Sequence, residues 1–128
     1  MNEYTISIER RPHYLYVAVT GENTAATIER YMKEISEACR RLGMLKVLVV
    51  GNLQGPAVDM LELYKVVTTA SDEAIGSGIR AAYVELNPAR SDANMQMAEN
   101  VAITRGIPVH TFRNIADAET WLLSVPHA

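Results

Sequence analysis

Residues 4–9 alternate, with Tyr4, Ile6 and Ile8 on one side and Thr5, Ser7 and Glu9 on the other, which is the period of a half-buried edge strand. Arg10, Arg11 and Pro12 interrupt it. Over residues 13–19 the chain is apolar or aromatic on both sides, from Tyr14 to Val19, as in a strand covered on both faces. The short break predicts an antiparallel hairpin, with Gly21 closing off its second strand. Residues 24–42 change to a helical period, placing Ile28, Tyr31, Met32, Ile35, Cys39 and Leu42 on one stripe, and Gly43 supplies the stop. On the opposite side Glu29 with Lys33 and Glu37 with Arg41 are spaced for solvated pairs, each worth about 0.2–0.5 kcal/mol.

Residues 45–50 form a β-branched run expected in mid-sheet, and the glycines of the stretch from Gly51 to Pro56 predict a loop. Pro56 suits the first turn of a helix over residues 57–75. A strand over 80–86 ends at Asn87 and Pro88. Ser91 then caps a helix through Arg105 whose inner side carries Met95, Ala98, Val101 and Ala102, and Gly106 ends it. The last strand is expected over 109–112. Asn114 caps a final helix in which Ile115, Ala118 and Leu122 share a face, Asp117 stands in the first turn and Pro126 forms the stop. The order β-β-α-β-α-β-α-β-α predicts an α/β fold: a mainly parallel five-stranded sheet flanked by helices and joined by right-handed crossovers.

Composition narrows the picture. A chain of 128 residues, 48% hydrophobic and 21% charged, suits a single domain over 1–128 with one core. A net charge of −3 disfavours binding to phosphate backbones, so nucleic acid is not an expected partner. The N-terminal residues lack a signal-peptide pattern and no stretch reaches the roughly 20 apolar residues of a membrane span. The lone Cys39 permits neither an internal disulfide nor a multi-cysteine zinc site, so a cytoplasmic location is expected.

Little in the chain suggests catalysis. His13, His110 and His127 lack metal spacing, and Cys39 lies at the centre of an apolar stripe as an inert thiol. Asp59, Glu62, Asp72 and Glu73 read as a solvated helix arc, and Tyr14, Tyr16, Tyr83 and Trp121 as core. No catalytic constellation, cofactor or metal is expected. The best candidate site is the loop of Gly51, Asn52, Gln54 and Gly55, which leads from a parallel strand into a helix, where ligands gather in open α/β sheets. Its amides, with Asn52 and Gln54, are candidates to hold an anion or a partner carbonyl. The next helix has an apolar arc of Met60, Leu61, Leu63, Tyr64, Val67, Ala70 and Ala74. Val58 and Val66 fall in or beside its polar arc, where exposure is expected and would mark a surface for a protein partner or a second copy. The alternative is a carrier with an apolar cavity of several hundred Å³ beneath the helix, bounded by Met60, Leu61 and Tyr64 and suited to a small apolar or lipid ligand.

Three stretches, together with the element order, resemble the SpoIIAA-like branch of the STAS (sulfate transporter and anti-sigma-factor antagonist) fold. They are Tyr14-Leu15-Tyr16-Val17-Ala18-Val19-Thr20-Gly21, Lys46-Val47-Leu48-Val49-Val50, and Phe112-Arg113-Asn114-Ile115-Ala116-Asp117-Ala118-Glu119-Thr120-Trp121-Leu122. The resemblance implies a non-enzymatic regulatory domain that signals by binding other proteins. It also implies a phosphorylatable Ser or Thr just after the mid-chain strand. Here residues 51–67 contain neither, so a phosphorylation switch is not expected at that loop.

Overall fold

The computed structural model describes residues 4–89 and 92–124. The order of elements is the expected one: β1 (Tyr4–Arg10), β2 (Leu15–Glu22), α1 (Ala25–Leu42), β3 (Lys46–Gln54), α2 (Met60–Ala74), β4 (Arg80–Glu85), α3 (Asp92–Thr104), β5 (Val109–Phe112) and α4 (Ile115–Leu123). The first two strands form the antiparallel hairpin, paired without interruption from Tyr4 opposite Gly21 to Arg10 opposite Leu15. All later pairings are parallel, and the strands lie in the order β1-β2-β3-β4-β5. Helix α1 begins where the Thr24 hydroxyl accepts the Thr27 N–H and ends at Gly43, which takes the left-handed conformation at φ 65°. In α4, Asn114 caps through the Asp117 N–H as its position suggested. The Ser91 cap and the Pro126 stop lie outside the described residues.

Sequential strand order has a consequence. Right-handed crossovers that always step to the next strand put every crossover helix on one face of the sheet. Side chains that alternate along the strands record this division. Leu15, Val17, Val19, Val47, Val49 and Leu53 join Ile28, Tyr31, Leu63, Val67 and Val101 in the larger core beneath α1, α2 and α3. Leu48, Val50, Ala82 and Val84 point the other way and meet Ala118 and Leu122 of α4, with Tyr14 beside them. Over that smaller core the Arg80 guanidinium lies 3.6 Å above the Trp121 ring and donates to the Trp121 carbonyl at 2.9 Å, tying the end of α4 to the sheet. Tyr14 donates its hydroxyl to Glu119 at 2.7 Å. Ile115, expected on the buried face of α4, is 37% exposed, because it stands in the first turn beyond the sheet contact made by Ala118 and Leu122.

Two boundaries move relative to the sequence reading. Strand β3 does not stop at Val50: Gly51, Asn52, Leu53 and Gln54 continue it, opposite Val19, Thr20, Gly21 and Glu22 of β2. Helix α2 starts at Met60 with Asp59 as its cap, and Pro56 precedes it by a full turn. Val58 therefore sits before the helix.

Candidate functional site

The C-terminal ends of β2, β3 and β4 meet at the connection from β3 to α2, and the backbone of this connection is held from three directions. Asn23, which follows β2, donates its side-chain N–H to the Pro56 carbonyl at 3.1 Å and its backbone N–H to Gln54 at 2.8 Å. Asn87, which follows β4, donates to the Leu53 carbonyl at 2.7 Å. Asn94, in the first turn of α3, donates to the Val58 carbonyl at 2.9 Å. Asn23 and Asn94 are buried, so their amides replace solvent for carbonyls that no helix or ladder satisfies. Sequence reasoning missed all three. Their only signals, an Asn before the Thr24 cap and an Asn-Pro pair after β4, read as turn chemistry because the acceptors are distant in the chain.

Beneath the connection, Gly51 faces the Tyr83 ring. A β-carbon at position 51 would lie 2.1 Å from the Tyr83 hydroxyl oxygen, so a glycine is required there by close approach. The Tyr83 hydroxyl donates at 3.0 Å to Glu85, a carboxylate only 1% exposed that also accepts the Asn87 N–H at 3.1 Å. Gly55, at φ 110°, makes the turn that leads the chain away from the sheet.

The nine residues singled out from sequence are thus divided. Gly51 is buried within the sheet. Asn52 and Gln54 point to the α4 side of β3, where the Gln54 amide donates to the Asn52 side chain at 2.8 Å. Val58 and Val66, expected to be exposed, are half-buried against the larger core. Val58 turns inward as an extended residue before the helix. Val66 is covered because α2 is the middle of three helices: its flank meets Met32 and Ser36 of α1. Met60, Leu61 and Tyr64 are 46%, 60% and 44% exposed, on the first turns of α2 directly after the exposed Gly55, Pro56 and Ala57. These three carry the accessible apolar surface that the sequence reading had assigned to the valines.

An anion finds few donors here. The amides of residues 51–54 belong to strand β3, and the first amides of α2, those of Leu61 and Glu62, are given to the Asp59 carboxylate at 3.2 and 3.3 Å. Asp59 and Glu62 also place negative charge at the helix start. The first Ser or Thr after Val50 is Thr68, and its hydroxyl oxygen is buried.

A cavity of about 190 Å³ lies between the helical layer and the sheet, lined by Ile28 and Tyr31 of α1, Leu63 and Val67 of α2, and Met95 and Ala98 of α3 among others. Met60, Leu61 and Tyr64 do not line it, and its volume falls below the several hundred Å³ expected of a carrier. Cys39 is buried in the same layer, and loss of solvent pushes its thiol up to about 11. Among the described residues no three His, Cys, Asp or Glu side chains gather as a metal site requires, and no helix is long and apolar enough to cross a membrane.

No protein-family model matches the chain, and no curated protein does. Solved structures do match. An uncharacterized DUF3478-family protein with a SpoIIAA-like fold from Shewanella loihica PV-4 is similar at 15% identity over 95% of each chain, with a TM-score of 0.56. An anti-sigma factor antagonist from Mycobacterium paratuberculosis is similar at 16% identity over 94% of each chain, with a TM-score of 0.57. RsbS from Moorella thermoacetica carrying a Ser-to-Glu substitution is similar at 16% identity over 93% of this chain and 95% of that one, also at 0.57. At such identities the likeness establishes the fold: this chain has the SpoIIAA-like architecture.

Proposed function

We propose that this chain is a non-enzymatic regulatory module that binds a protein partner through residues 55–57 and the first two turns of α2. The observation that carries the reading is the exposure of Met60, Leu61 and Tyr64 beside a connection fixed by Asn23, Asn87 and Asn94. Apolar side chains on a rigid support lose little conformational freedom when covered, which favours association. Asp59 and Glu62 border the apolar group, so the complementary surface is an apolar recess with basic residues at its rim. Two of the structurally similar proteins are an anti-sigma factor antagonist and RsbS, in keeping with a regulatory role. With no Ser or Thr from Gly51 to Val67, this module works without the Ser or Thr switch that the resemblance implies.

The test is site-specific photo-crosslinking in cells. A photoreactive residue at position 61 or 64 is expected to give a discrete adduct, while one at exposed Thr120 of α4 gives none. The recovered partner should then bind the Leu61→Asp variant at least tenfold more weakly. Equal crosslinking at positions 120 and 61, or unchanged affinity of Leu61→Asp, removes the proposed surface.

The cavity supports a second reading, a carrier of a small apolar molecule. Its 190 Å³ is close to the size of engineered apolar cavities of about 150 Å³ that admit benzene, and too small for a lipid chain in the state described. Native mass spectrometry of the purified protein decides this: an adduct lost on denaturation supports the carrier, and the bare chain mass argues against it.

A further inference from the structure

The two edges of the sheet are treated differently. Strand β5 has only four residues, follows Pro108, and has its Thr111 N–H taken by the buried Glu99 carboxylate at 2.8 Å. Those are devices that block further pairing. Strand β1, at the other edge, has seven residues, no proline and no lysine, and it pairs with β2 without a bulge. The Arg11 N–H donates to the Tyr14 carbonyl at 3.0 Å, and this sets the phase of the hairpin. By alternation, Glu9, Ser7 and Thr5 turn their backbone groups toward β2, and Tyr4, Ile6, Ile8 and Arg10 turn theirs outward. An open row of donors and acceptors results.

We propose that β1 pairs antiparallel with β1 of a second copy about a two-fold axis at Ser7, joining two sheets into one. The occupant is identified by self-complementarity. In this register Tyr4 lies opposite Arg10 of the second copy, Ile6 opposite Ile8, and Ser7 opposite Ser7, with the outward backbone groups of all four even-numbered residues bonded. The charges fit as well. Tyr4 donates its hydroxyl to Glu34 of α1 at 2.7 Å and has the Arg30 guanidinium 5.3 Å from its ring centroid, so Arg10 of the second copy arrives beside that carboxylate and shares it with Arg30. Arg10 is exposed. A single strand pair is small for an interface, so the dimer is concentration-dependent.

The pairing predicts a register-specific cross-link. Ser7 would form a pair without direct hydrogen bonds, with α-carbons about 4.5 Å apart, within the range a disulfide spans. Ser7→Cys is expected to oxidise rapidly to a covalent dimer, whereas Thr5→Cys, exposed on the same face but opposite Glu9, is not; Cys39 is buried and takes no part. Sedimentation velocity from low-micromolar to near-millimolar protein is expected to show monomer giving way to dimer. Arg10→Glu should weaken it about tenfold, and Arg10→Glu with Glu34→Arg should restore it. A monomer at every concentration overturns the proposal. So does a dimer in which Ser7→Cys cross-links no faster than Thr5→Cys, or one that survives Arg10→Glu but is lost in Leu61→Asp, which would place the contact on α2.

Discussion

The two faces of the sheet carry very different loads. On one, three helices bury Leu15, Val17, Val19, Val47, Val49 and Leu53 in a wide layer that still leaves a partly open cavity. On the other, the nine residues of α4 cover β3, β4 and β5 through Ala118 and Leu122, with Trp121 held under Arg80. This follows from strand order: stepping always to the adjacent strand spends all three crossovers on one side and leaves the other to whatever follows β5. The thick face can lose part of one helix contact to its neighbours. Among the described residues the thin face has no second helix.

The largest expected effect tests that asymmetry directly. Leu122→Ala removes a fully buried side chain and should cost about 2–5 kcal/mol. Because α4 packs on β3, β4 and β5 and, among the described residues, against no other helix to a comparable extent, Trp121 fluorescence is expected to change at lower urea than the far-ultraviolet signal. Leu63→Ala in α2, of the same bulk, should unfold in one coincident transition. Coincident curves for Leu122→Ala would mean that the two faces are one cooperative unit.

Alkaline pH should separate the faces next. Burial raises the Cys39 thiol from 9.0 to about 11 on the thick face. On the thin face, burial first and the bond to Glu119 second raise the Tyr14 hydroxyl. Both are acids whose folded values lie above their unfolded ones, so their contribution is complete below the unfolded value and is lost as pH rises through the folded one. For Cys39 the window runs from pH 9.0 to about 11, and the shift corresponds to about 3 kcal/mol. Urea midpoints of the wild type should therefore fall more steeply across this window than those of Cys39→Ala. Tyr14→Phe should flatten the profile at higher pH. Parallel slopes for wild type and Cys39→Ala would show that the thiol ionises without cost.

How much of this was legible in the sequence depended on the range of the interaction. The hairpin, α1 and the Asn114 cap rest on residues close in the chain, and their patterns read correctly. The end of β3 did not. Gly51, Asn52 and Gln54 have loop-like composition, and what extends the strand is pairing with Val19 to Glu22, about thirty residues earlier. Moving that boundary moved everything after it: Val58 turned inward, Asp59 replaced Pro56 at the helix start, and the exposed apolar group proved to be Met60, Leu61 and Tyr64. A helical wheel also treats α2 as having one buried face, yet its central place between α1 and α3 buries the flank at Val66. The exposed apolar group adjoins the connection that the sequence pointed to, but which side chains it contains is set by neighbours that local patterning does not reveal.

The smallest expected effect is also the sharpest contrast between the faces, because it concerns sign. Ala98 lines the cavity beneath the helical layer, and Ala82, fully buried under α4, does not line it. Enlarging Ala82 to Val forces a methyl pair into filled space and should cost about 1–3 kcal/mol. Enlarging Ala98 to Leu extends into existing volume, keeps a good helix former, and should add about 0.5–1 kcal/mol to the urea stability. The same Ala98→Leu variant should abolish uptake of a small apolar guest if the cavity is a binding site, while leaving crosslinking at position 61 intact. If Ala98→Leu instead destabilises as much as Ala82→Val, the space beneath α2 is not available volume, the thick face is as fully packed as the thin one, and the carrier reading loses its only support.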